Sequence, residues 1–345
     1  MARGRRTALV LTSLLLAGGV LPAGAQEPES IVYSAYRYGG RGTGAAIFTV
    51  VPGAEPVRLT GSRSFNLEPV WSPNRTRIAY VHHARPRNPD VWVMDADGTD
   101  RVRLTEGPRD DTFPQWSPDG SRILWVKTRP SSALGRIYVM DADGTDKTLL
   151  RGEETAALAR WSPDGTRIAF VTKRRCNDCV DDSEIHVMDA DGSNETALTD
   201  NTVDDSWPVW SPDGTRIAFS RTRSDGGDLF TIAPDGSAEE QLTSLEDFAF
   251  LPRWSPDGSE VAFSLLVDAE NFHVRLGVVD AATHEERLLT DVATGGLLPD
   301  WSADGSRIAF LGFHSGGYNV GVIGRDGTLL VRVTDSDLDE AWLDW

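Results

Sequence analysis

The sequence predicts an all-β protein, a seven-bladed β-propeller of four-stranded blades, on three observations. A motif of the form WSPDGxRIAF begins at Trp71, Trp116, Trp161, Trp210, Trp254 and Trp301, and Trp345 continues the series at the same spacing of about 45 residues. Between successive Trp residues the order hardly varies: an SPDG turn, a short apolar run of RIAF type, a loop, a run of IYVMD type, a DADG turn, and a run ending in Leu-Thr. Four short strands per unit, repeated around a ring, is how a propeller buries sheets that could not cover themselves.

Composition narrows the function. The 345 residues, 40% hydrophobic and 25% charged, suffice for a large core, and 34 basic against 52 acidic residues leave a net charge of -18. A surface that acidic repels phosphate backbones and anionic lipid, so nucleic-acid binding is excluded.

Residues 1–25 read as a secretory signal peptide. MARGRR gives a basic start, Thr7 to Leu21 an apolar run, and Ala23-Gly24-Ala25 a small-residue cleavage site ahead of Gln26. The apolar run falls short of the ~20 residues of a membrane span, and no later segment comes closer. The mature chain, 26–345, is therefore expected in the periplasm or outside the cell, as one propeller domain with no membrane span.

The ends of that chain complement each other. Ser30 to Tyr36 copies the RIAF-type strand with no Trp strand ahead of it, and Glu340 to Trp345 is a Trp strand with no partner after it. Pairing the N- and C-terminal strands would complete one blade from both termini and hide two sheet edges.

The turns follow from their residues. In Ser117-Pro118-Asp119-Gly120, Pro presets φ, Asp suits the third position and Gly supplies the positive φ that closes the hairpin. Arg75 stands where Gly is expected, so the first of these turns is predicted to be strained or of another type. Asp95-Ala96-Asp97-Gly98 and its copies lack the further carboxylates of a calcium loop and read as turns. The repeated Trp residues read as packing between blades, each burying ~200 Å² at ~25 cal/mol/Å².

The unit LT-x(n)-P-x-W-S-P-D-G-x-x-I-A-F followed by an IYVMD strand, as in Leu198-Thr199 to Phe219, resembles the repeat of TolB-like propellers and spans residues 30 to 345. The resemblance implies the propeller fold and a protein-binding role at the cell envelope. Related propellers precede the hydrolase domain of prolyl-oligopeptidase-like peptidases, but no G-x-S-x-G elbow occurs here. The six histidines are scattered, with none at metal-pair spacing.

Two places carry site-like chemistry. Paired acids precede the Trp strands: Asp110-Asp111, Asp204-Asp205 and Asp339-Glu340, with Glu246-Asp247 and Glu153-Glu154 two residues earlier. Equivalent loops open on one rim of a propeller, so these acids are expected around one channel mouth, with Phe113, Trp207, Phe248, Phe250 and Trp342 beside them as anchors. The residue just before each Trp changes in character (Val70, Gln115, Arg160, Val209, Arg253, Asp300, Asp344), which places it facing the channel or solvent. The second place is Cys176-Asn177-Asp178-Cys179, which in an exported chain reads as a local disulfide.

The function expected from these features is that of a non-catalytic binding module, a monomer, whose acidic mouth (Asp110, Asp111, Phe113, Asp204, Asp205, Trp207, Glu246, Asp247, Asp339, Glu340, Trp342) takes a basic or cation-bearing envelope protein. No catalytic or metal-ligating residue is assigned, and weak calcium binding at the rim is the only cofactor chemistry foreseen. The alternative is a metal-dependent hydrolase or lactonase with its site in the channel.

Overall fold

A computed structural model describes residues 30–36, 44–84, 88–130, 132, 134–173, 182–223, 226–314, 317–335 and 338–345. The expected signal peptide and the Cys176–Cys179 pair lie outside the described residues. Within them all regular structure is β, in sheets built almost wholly of antiparallel ladders, and no helix is long and apolar enough to cross a membrane.

Four kinds of strand recur. The Trp strands are Phe65–Trp71, Asp110–Trp116, Thr148–Trp161, Asp205–Trp210, Phe248–Trp254, Gly295–Trp301 and Asp339–Asp344. Each RIAF-type run forms the neighbouring strand in one register, pairing Trp71 with Ile78, Trp116 with Ile123, Trp210 with Ile217 and Trp301 with Ile308. The IYVMD-type strands, such as Pro89–Asp95 and Ser183–Asp189, come next, and two- or three-residue strands such as Val102–Arg103 lie outermost. Asp339–Asp344 pairs with Ile31–Tyr36, from Val32 opposite Asp344 to Tyr36 opposite Asp339. Thr148–Trp161 departs from the pattern: its first residues pair as an outer strand with Gly135–Asp141 and its last as a Trp strand with Arg167–Lys173, so Glu153-Glu154 lie within a strand where a loop was expected.

The repeated residues hold neighbouring sheets together. The core lies between sheets: Leu124, Ile137 and Val139 of one unit pack with Trp161, Ile168, Phe170 and Met188 of the next. The indole Nε1 of Trp116 donates to the carbonyl of Val70, Trp210 to Arg160, Trp254 to Val209 and Trp301 to Arg253, each the residue before a Trp in the preceding unit. The Arg of four RIAF-type runs caps the following Trp, with guanidinium-to-ring distances of 5.5 Å for Arg77 on Trp116, 4.8 Å for Arg122 on Trp161, 5.1 Å for Arg167 on Trp210 and 4.9 Å for Arg307 on Trp345. Where Glu260 replaces that Arg, Arg325 covers Trp301 instead and is bound by Glu260 at 2.7 Å.

The Leu-Thr motif has its own role. The hydroxyl of Thr105 accepts from Val91 N, Thr199 from Ile185 N, Thr243 from Leu229 N and Thr334 from Val320 N, satisfying a buried donor in each third strand. The SPDG turns close through Gly120 N to Ser117 O at 2.8 Å, with Asp119 accepting from Ser117 and Ser121, bonds that hold its carboxyl down at about 2. Arg75 keeps the same turn at φ 57°, its N donating to Ser72 O, so the strain expected there is present and the turn type is unchanged.

Candidate functional site

Every Trp strand carries a bulge, and the residue three before the Trp takes the left-handed conformation: Glu68, Phe113, Leu158, Trp207, Leu251, Leu298 and Trp342, all with φ between 50° and 55°. In five of the seven a Pro follows, which has no N–H for the ladder to lose. Each bulge turns its side chain out of the sheet, and all seven line one cavity of about 380 Å³. Six are apolar and form a collar, with Phe113 edge-on to Trp342 at 5.9 Å and Trp207 against Phe250 at 5.7 Å; Trp342 stays 37% exposed.

The same cavity is lined by five of the residues that precede a Trp, Val70, Gln115, Arg160, Arg253 and Asp344. Asp344 accepts from Trp71 N at 2.8 Å, Asp300 from Trp345 N at 2.8 Å, and Glu68 from Phe113 N at 2.6 Å, so each acid also ties one Trp strand to the next. Arg253 Nε stands 3.9 Å from Asp300. Burial pushes the Glu68 carboxyl up to about 7 against the pull of Phe113 N and Arg160, and it raises Asp300 and Asp344 as well, the latter also repelled by Asp300. Burial, with Arg253 nearby, brings Arg160 down to about 10. The cavity lining thus holds two carboxyls, Glu68 and Asp344, and two guanidiniums, Arg160 and Arg253, with Asp300 beside Arg253 just outside it.

The expected acidic mouth is divided by this geometry. Phe113, Trp207 and Trp342 do converge on the cavity. Asp111 and Asp205 do not face solvent: both are fully buried, Asp111 accepting from Trp125 Nε1 at 2.7 Å beside Lys127, and Asp205 gripped by Arg221 at 2.8 and 2.9 Å and by Asn201. Glu340 is buried too. The strand period explains the correction, since the second acid of each pair points into the sheet while the first points away. Asp204 and Glu246 are exposed, and Asp110, Asp247 and Asp339 are half-buried, with Asp204 accepting from Ser183 N and Asp339 from Tyr318 N. None of these acids lines the cavity, and Phe248 and Phe250 back the collar through Trp207. Glu68 went unnoticed in the sequence because its unit lacks paired acids; its signal was the position three before the Trp. Among the described residues no three His, Cys, Asp or Glu side chains form a group able to hold a metal ion.

Sheets of this repeat, with Trp strands around a common cavity, define a β-propeller. Residues 62–249 and 165–341 match the family model of the TolB beta propeller domain, and the chain belongs to that family. No curated protein matches the sequence. Among solved structures, the putative TolB from Agrobacterium tumefaciens is similar at 21% identity and TM-score 0.56, over 76% of this chain and 88% of that one. An oligogalacturonate lyase in complex with manganese is similar at 16% identity and TM-score 0.66, over 89% and 86%. The β-propeller domain of the Trilobed protease from Pyrococcus furiosus is similar at 15% identity and TM-score 0.65, over 90% and 93%. At these identities the likeness is one of fold.

Proposed function

We propose that the protein is an exported, non-catalytic binding module of the cell envelope, a seven-bladed propeller whose channel mouth docks a basic or cation-bearing segment of a partner protein. The observation that carries the reading is the collar: six bulky apolar side chains, three of them aromatic, held at one mouth of a cavity that Glu68, Asp344, Arg160 and Arg253 also line. Aromatic anchors in a charged lining suit a cationic side chain, which gains ring contact at the collar and a carboxylate in the same cavity. Seven blades are supported by seven Trp strands contributing to one cavity, and closure by Asp339–Asp344, which pairs with Ile31–Tyr36 and packs against both Gly295–Trp301 and Phe65–Trp71. The acids that remain accessible, Asp110, Asp204, Glu246, Asp247 and Asp339, surround this site as a solvated periphery, and any weak calcium binding would fall to them.

The test is retention of envelope proteins on immobilised wild-type protein against Trp207→Ala and Trp342→Ala. A partner held by the wild type, displaced by a Lys- and Arg-rich peptide and lost from both variants supports the reading. Equal retention by all three proteins would sink it.

A further inference from the structure

We infer that a second pocket, away from the channel, is a binding site for a small oxyanion, a carboxylate or phosphate. It has a volume of about 460 Å³ and is lined by Arg58, Arg63, Arg101, Tyr80, His82 and Trp92, with Asn66 in its wall and no acidic side chain among the lining residues. In a protein of net charge -18 this is a local excess of cations.

The repeat shows how the excess arises. The residue before the Thr-bonded N–H of each third strand is Asp90, Glu184 and Asp228 in three units, and all three are buried. Asp90 binds Arg103 at 2.8 Å and Asp228 binds Arg223 at 2.5 Å. The pocket lies between two units: in the one that contributes Arg58 the same position, fixed by Ile47 N donating to Thr60, is Ala46, while Asp90 of the other, opposite His82, is taken up by Arg103. A second acid is absent as well. Asn66 pairs with His82 in the register that joins Asp111 to Lys127 and Asp205 to Arg221, so a neutral amide stands where two other units place a buried carboxylate. The amide Nδ2 of Asn66 donates to Ala45 O and Gly61 O, and its Oδ1 accepts from His82 Nδ1, so it gives the arginines nothing. Arg58 bonds only the carbonyl of Thr60, and Arg101 the carbonyls of Gly98 and Leu59; among the described residues neither these two nor Arg63 has a carboxylate partner.

Two further donors point to a ligand. Tyr80 is 1% exposed and occupies the place held by Phe170, Phe219, Phe263 and Phe310 in other units, yet its hydroxyl has no hydrogen bond among the described residues. The indole Nε1 of Trp92 is buried without an acceptor. Donors arranged around a space where neither position carries the carboxylate that some other units place there are complementary to an oxyanion, which would supply the charge that Asp90 gives Arg103 and Asp111 gives Lys127.

The experiment is titration calorimetry at low ionic strength with inorganic phosphate and with malonate, using chloride at matched ionic strength as the blank. Wild-type protein is expected to bind at least one of the two at millimolar or lower concentration. Arg63→Ala, at an exposed residue, should weaken binding about tenfold, and Tyr80→Phe, the residue of the other units, several-fold. Ala46→Asp should abolish it by supplying the carboxylate internally; if that buried change disturbs the melting transition, Arg58→Glu serves in its place. Phosphate alone or malonate alone would each support the site and name the preferred oxyanion. Absence of heat with both anions at 20 mM, or binding unchanged in Arg63→Ala and Tyr80→Phe, would overturn the assignment.

Discussion

Asp205→Asn tests whether the second acid of a pair is a structural group. Asp205 is fully buried and receives Arg221 Nε at 2.8 Å, Arg221 Nη2 at 2.9 Å and Asn201 Nδ2 at 2.8 Å. Arg221 is itself mostly buried, its guanidinium 4.4 Å from the Phe230 ring, and its other partner is the half-exposed Glu239. An amide of the same shape removes the charge and one acceptor, leaving a mostly buried guanidinium with Glu239 as its one carboxylate partner. Breaking a buried pair from one side costs ~3 to 5 kcal/mol, and the surviving Glu239 contact brings the expectation to ~3 kcal/mol. For a chain of this size that is a fall in Tm of roughly 6 °C, measured by circular dichroism and checked by urea unfolding. Asp204→Asn is the control, because Asp204 is exposed and the amide oxygen of Asn can still accept its bond from Ser183 N. If Asp205→Asn lies within ~0.5 kcal/mol of wild type, Asp205 is a solvated rim acid after all and the reasoning fails.

Other expectations follow from particular groups. Glu68 has a folded pKa of about 7, above its unfolded value, so its contribution to stability is complete below about pH 4 and is lost as pH rises through 7. Wild-type Tm should therefore increase between pH 7.5 and 5.5, and Glu68→Gln should flatten that rise; an unchanged slope would remove Glu68 from the account. Trp301 donates to Arg253 O at 3.1 Å while the buried Nε1 of Trp161 has no partner among the described residues, so Trp301→Phe should cost ~1 kcal/mol more than Trp161→Phe in urea unfolding. Leu329 is 82% exposed at φ 57°, and Leu329→Gly should stabilise by ~0.5 to 1 kcal/mol through relief of left-handed strain. A lower Tm for that variant would show that the leucine makes a contact worth more than the strain.

The sequence by itself determined the all-β class and the strand order. Each Trp, SPDG and Leu-Thr element makes a contact within its own unit or with the next, and such contacts repeat with the chain. Trp116 reaches Val70 and Arg77 reaches Trp116 because the units are consecutive, so a spacing of about 45 residues already implies neighbouring sheets. The tertiary structure alone decided which side chains meet across the assembly. Phe113 meets Trp342, and Asp300 meets Trp345, around bulges whose left-handed residue is set by its position three before the Trp and not by its type, since Glu, Phe, Leu and Trp all occupy it. It also divided Asp204 from Asp205: adjacent acids look alike in a sequence, but in a strand they point to opposite faces, one to solvent and the other to Arg221 in the interior. The cation-rich pocket depends on the same distinction, because the consequence of Ala46 and Asn66 is visible only once the register places them where other units bury a carboxylate.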